Sequence, residues 1–132
     1  MTCAREIIAT SGLAFRVYAA YQDAPAEYRY ISKDVAPLQV LIDKVAQHFR
    51  NTTISSDDYH YGEKVLKNCQ SVLQDLYSLA GKYRRLASMN KRLVLKGVKL
   101  GKEDITTLQA RLVSYTGLLT EFVRRCVVRL IQ

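Results

Sequence analysis

Apolar residues recur at three- and four-residue steps along nearly the whole chain, and this period restricts the fold more than any other feature. Val65, Leu66, Cys69, Val72, Leu73, Leu76, Leu79, Tyr83 and Leu86 form the longest stripe. Tyr28, Ile31, Val35, Leu38, Ile42, Val45 and Phe49 form a second, a helix of about 25 residues. Ile105, Leu108, Leu112, Tyr115, Leu119, Phe122, Val123, Cys126 and Leu130 mark a last helix. Ile7, Ile8, Phe15, Val17, Tyr18 and Tyr21 mark a first one, loosened around Thr10-Ser11-Gly12 because glycine and short hydroxyl residues are weak helix formers. The expectation is an all-α fold, an antiparallel bundle of about four main helices.

The breaks between stripes have local causes. Asp23-Ala24-Pro25 ends the first helix, and Pro25 suits the first turn of the second because its missing N–H costs nothing there. Pro37 falls inside the second stripe and should kink or divide it. Asn51-Thr52-Thr53 reads as a loop, followed by Ser56 as N-cap with Asp57 and Asp58 at the positive end of the dipole. Between Ser88 and Gly101 the pattern weakens into a basic connector with room for a short extra helix. Glu103 and Asp104 then read as the opening of the last helix.

With 132 residues the chain fits one domain, residues 1–132, read as the N-terminal part of a larger protein. A hydrophobic content of 48% with 24% charged residues excludes a disordered chain. Three cysteines, Cys3, Cys69 and Cys126, are far apart and odd in number, which excludes a disulfide framework and a metal knuckle. A reducing compartment, cytosol or nucleus, follows as the default, with the cytoplasm the expected location. No cofactor motif is present: Gly97 and Gly101 lack the Gly-Lys-Ser/Thr ending of a phosphate loop. His48 and His60 have no second ligand at helical spacing, and the paired acids sit at expected helix starts, so no catalytic, metal or cofactor residue is assigned and an enzyme is not expected.

Charge is distributed unevenly. Residues 1–81 hold eight Lys/Arg against nine Asp/Glu, whereas residues 82–132 hold twelve against three. That asymmetry points to an acidic partner: an anionic membrane surface, an acidic protein face, or nucleic acid. Lys91, Arg92, Lys96 and Lys99 are the candidate anionic-surface contacts. Dedicated nucleic-acid recognition is not supported, since Tyr83 is the one aromatic in 82–102 and belongs to a core stripe. Ile7 to Tyr21 is too short to span a bilayer alone. Ile7, Ile8, Leu13, Phe15, Val17 and Tyr18 in this helix are the candidate membrane or partner contacts.

An ordered set of short motifs carries a resemblance. Gly12-Leu-Ala-Phe-Arg-Val-Tyr18, Asp23-Ala-Pro-Ala-Glu-Tyr28, Ile31-Ser-x-Asp-Val35 and Leu38-Gln-Val-Leu41 open it. Asn68-Cys-Gln-Ser-Val-Leu-Gln-Asp-Leu76, Lys82-Tyr83, Gly101-Lys-Glu-Asp-Ile105, Leu108-Gln-Ala-Arg-Leu112 and Thr116-x-Leu-Leu119 complete it. Together they resemble the fungal N-terminal helical domains that stand ahead of NACHT or NB-ARC (STAND) modules or ankyrin repeats, relatives of the HeLo and HeLo-like domains. The resemblance covers residues 7 to 123, with Leu100 where such domains place tryptophan and Arg16 interrupting the apolar N-terminal helix.

What the resemblance implies is a noncatalytic signalling or effector domain of heterokaryon incompatibility and cell death. It would act by protein–protein interaction and self-association, with recruitment to a membrane as a subtype in which residues 7–21 attack the bilayer. A structural scaffold module and an electrostatic nucleic-acid-binding domain are the alternatives.

Overall fold

The structure is a computed structural model that describes the backbone of residues 2–24, 28–51, 55–87 and 91–131, and the side chains of 5–24, 28–49, 55–82 and 105–126. Four helices account for almost all of it: α1 (Thr2–Gln22), α2 (Tyr30–Asn51), α3 (Ser56–Ala87) and α4 (Lys91–Ile131). No strand occurs among the described residues. The protein is an all-α helical bundle.

Each helix packs along two others: α1 against α2 and α3, and α4 against α2 and α3. The helices therefore stand at the corners of a square, with α1 opposite α4 and α2 opposite α3. Short connections reverse the chain between successive helices. As a result α3 and α4 run antiparallel, with Asp75 beside Arg111 and Tyr61 beside Phe122. The α1–α2 pair is antiparallel for the same reason, whereas the diagonal crossing from α2 to α3 makes α1–α3 and α2–α4 parallel. Thr10 lies beside Gln70 and Arg16 beside Tyr77 along α1 and α3, while Asp34 lies beside Gln109 and Phe49 beside Phe122 along α2 and α4.

Spacing explains the core. In α4 the buried residues Ile105, Leu112, Leu119 and Cys126 recur every seventh position, with Leu108, Tyr115 and Phe122 between them. Val65, Cys69, Val72, Leu76 and Leu79 do the same for α3. Such a repeat keeps one seam facing the partner helices. Leu38, Ile42, Leu66, Leu73 and Leu76 are fully buried at the centre. Cys69 shares this apolar interior, and burial pushes its thiol up to about 12 from 9.0.

Several boundaries differ from the sequence expectations. Ser55, not Ser56, caps α3: its hydroxyl accepts the Asp58 N–H at 3.2 Å, and its carbonyl accepts the Tyr59 N–H at 2.9 Å. The second helix begins at Tyr30, five residues after Pro25, which lies outside the described residues along with 26 and 27. Pro37 leaves α2 undivided, because it sits on the exposed side where water can take up the carbonyl that loses its partner.

The connector is also corrected. Residues 91–101 form no separate short helix; they are the first turns of the 41-residue α4, so Glu103 and Asp104 lie inside that helix rather than at its start. Glycine costs only about 1 kcal/mol in a helix interior, so Gly97 and Gly101 do not suffice to end it. The side chains of Tyr83 and Leu86, assigned to the α3 stripe, lie outside the described ones, as does that of Leu130 in α4.

Candidate interaction surface

The six apolar residues singled out near the N-terminus divide between inside and outside. Ile7, Leu13 and Val17 belong to the core, with Thr10, Ala14 and Tyr21 completing the inward seam at three- and four-residue steps. Tyr18 is half-buried against that core. Ile8 and Phe15, in contrast, are 74% and 62% exposed. They are seven residues apart on one helix, so they stand above each other on the outer face of α1. The sequence stripe merged the two sets because tallying large apolar residues overlooks Thr10 and Ala14, which mark the true inward side.

Gly12 lies between Ile8 and Phe15, four positions after one and three before the other. A Cβ placed on Gly12 would meet nothing within 4 Å, so a two-turn notch separates the two large side chains. No described residue other than glycine has positive φ, and no described glycine has it either. The backbone of α1 therefore does not require glycine at this position.

Polar contacts fix the inner side of this helix to α3. The Tyr21 hydroxyl donates to the Leu76 carbonyl at 2.8 Å in the interior. The Gln70 carboxamide donates to the Glu6 carboxylate at 2.6 Å and to the Thr10 hydroxyl at 2.9 Å, and the Thr10 hydroxyl donates to the Glu6 carbonyl. Glu6 is thereby turned toward α3, and the outer side of α1 keeps Arg5 and Arg16. The Arg16 guanidinium stands 5.9 Å from the ring centroid of Tyr77, itself 40% exposed on α3.

The basic second half is only partly visible as side chains. Lys91, Arg92, Lys96 and Lys99 lie on the backbone of α4, and their side chains fall outside the described ones. Farther along α4, Arg111 pairs with Asp75 at 2.9 Å, and that contact raises its pKa. Arg124 pairs with Glu121 at 3.1 Å, and Arg125 lies 5.0 Å over the Tyr61 ring. The described cations of α4 are thus drawn into contacts within the fold.

Side chains with catalytic or metal-binding chemistry are dispersed. Among the described residues no group of three or more His, Cys, Asp or Glu side chains converges to hold a metal ion. His60 packs edge-on against Tyr59 at 5.9 Å, and His48 is half-buried on α2. Cys69 and Cys126 are buried thiols. No helix among the described residues is long and apolar enough to cross a membrane. No protein-family model matches the chain, and no characterised protein or solved structure is recognisably similar to it.

Proposed function

We propose that the chain is a noncatalytic interaction domain that works by presenting the outer face of α1 to other protein chains. One observation carries this reading: Ile8 and Phe15 are held at 74% and 62% exposure on a helix whose opposite side is locked into the core. Two large apolar side chains aligned in water on a well-anchored helix form a standing contact surface. The resemblance to fungal HeLo-like domains ahead of NACHT or NB-ARC modules supplies the setting. There the domain is the effector or adaptor end of a STAND-type protein in the cytoplasm, and its copies gather when the attached domains assemble to trigger incompatibility and cell death.

The membrane-active subtype makes a separate energetic demand. To insert, α1 must withdraw Ile7, Leu13, Val17 and Tyr21 from the core. At ~1.5–3 kcal/mol for each large apolar side chain, withdrawal costs on the order of 6–12 kcal/mol. That equals much of the stability of a typical domain, so insertion needs a trigger such as assembly of attached domains. Contact through Ile8 and Phe15 needs no such rearrangement, which is why protein interaction is the leading reading.

Induced oligomerisation tests it. The chain, fused to a drug-inducible oligomeriser in a filamentous fungus, is expected to arrest growth when the drug is added. Ile8→Asp together with Phe15→Asp is expected to abolish the arrest while leaving helicity and the thermal melt intact. Arrest that persists in the double variant would refute the role given to this face. A wild-type fusion without effect would refute signalling itself. Dye entry during arrest separates the membrane subtype from contact alone.

A further inference from the structure

The geometry points to the outer face of α1 as the docking site for an acidic amphipathic helix of a partner protein. This inference rests on the interaction-domain reading above and adds the chemistry of the occupant. The face is built from Arg5, Ile8, Gly12, Phe15 and Arg16, with Tyr77 of α3 along its edge. Arg5, Ile8, Gly12 and Arg16 follow one another at three- and four-residue steps, which places a cation beyond each end of the apolar stretch.

Charge selects an acidic occupant. Arg5 and Arg16 are the exposed cations among the described side chains of α1, and no described acid is exposed on that helix. Glu6 does not offset Arg5 on the outer side, because Gln70 holds its carboxylate toward α3. A second copy of this chain is a poor occupant: a two-fold contact through this face would bring the arginines of one copy against those of the other.

Shape selects a helix over a lipid surface. The notch at Gly12 lies between two protruding side chains, and one side chain from a facing helix can enter it as a knob enters a hole. A bilayer has no use for a notch. The large apolar residues that would deepen insertion, Ile7, Leu13 and Val17, are committed to the core. An alanine at position 12 would favour the helix by about 0.8–1 kcal/mol, so a glycine that no backbone or packing demand calls for is consistent with a surface kept open.

The test uses the 15N-labelled 132-residue chain and two synthetic amphipathic peptides of about five turns, with the same leucine stripe and either glutamate or lysine elsewhere. The acidic peptide is expected to move the amide resonances of residues 5–16 and of Tyr77, and the basic peptide to leave them in place. Gly12→Leu fills the notch and is expected to weaken the acidic peptide about tenfold, without lowering the thermal melt.

Shifts that miss α1, equal binding of both peptides, or undiminished binding by Gly12→Leu would overturn the proposal. So would loss of the α1 resonances on phosphatidylcholine vesicles containing phosphatidylserine when the acidic peptide leaves them untouched; that result would make the face a lipid-docking surface. If the peptides fail while induced signalling still requires Ile8 and Phe15, the occupant is wrong and the interaction reading stands. If the peptides bind but signalling ignores both residues, the function assigned to the face fails.

Discussion

Replacing Gly62 with alanine sets two effects of similar size against each other. A Cβ at this buried position would lie 2.7 Å from Cζ of Phe122 and 3.2 Å from both Cε atoms. Ordinary van der Waals contact begins near 3.4 Å, so the ring has to move by more than half an ångström. It has little freedom to do so: Phe122 is 1% exposed, with Phe49 and Tyr61 at centroid distances of 6.1 and 5.9 Å. Overpacking of this kind costs ~1–3 kcal/mol. Against it stands the gain of about 0.8–1 kcal/mol from alanine in a helix interior.

Gly12→Ala in α1 isolates the second effect, because nothing lies within 4 Å of its added carbon. Subtracting one variant from the other cancels the helix propensity and leaves the overpacking, ~1–3 kcal/mol. For a chain of this size that difference separates the two melting temperatures by about 4–12 °C. Urea unfolding followed by far-ultraviolet circular dichroism measures it, with equal m values as the check that the unfolded states match. Adding Phe122→Leu to Gly62→Ala should recover part of the loss, since the planar ring is the obstruction. If Gly62→Ala raised stability as much as Gly12→Ala does, the packing of Phe122 over α3 would be wrong.

Leu73→Ala and Leu112→Ala, both at fully buried sites, are each expected to cost about 2–5 kcal/mol in the same urea assay, and values below ~0.5 kcal/mol at both would contradict the helix phases. Tyr21→Phe removes the hydroxyl that donates to Leu76 and should cost about 1 kcal/mol, with faster hydrogen exchange in α1 as the local readout. The raised Cys69 thiol gives a signed pH dependence: below about 9 it is neutral in both states and has no effect, whereas between about 9 and 12 the unfolded chain loses its proton first and stability falls with rising pH. Cys69→Ala should flatten that alkaline slope by up to about 1.4 kcal/mol per pH unit, and an unchanged slope would rule out the thiol as its source.

The stripes of α2 and α3 were legible because every residue in them whose side chain is described is buried or packs half-buried against the core, the exposed Val40 and Tyr77 lying off both stripes. Leu38, Ile42, Val72 and Leu76 are buried as their spacing requires. The start of α4 was misread for a local reason. Gly97, Gly101 and the acids at 103–104 carry the signals of a helix boundary, yet each costs a helix interior little enough for the helix to continue from Lys91. A signal was available in the seven-residue spacing of Val98, Ile105, Leu112, Leu119 and Cys126, which runs through the apparent break.

Backbone preference and amphipathic period are local properties, and they sufficed to show that the chain is helical, roughly where its helices lie and which faces of α2 and α3 seek the core. Tertiary structure decided which apolar residues stay outside. Ile8 and Phe15 have the same composition as core residues, and they are exposed because the inward side of α1 is occupied by Thr10, Ala14 and Val17 against neighbouring helices. The placement of α2 opposite α3 was likewise beyond the sequence. Helical period says which side of a helix seeks a partner, but the partner is chosen by how all four seams close around one core.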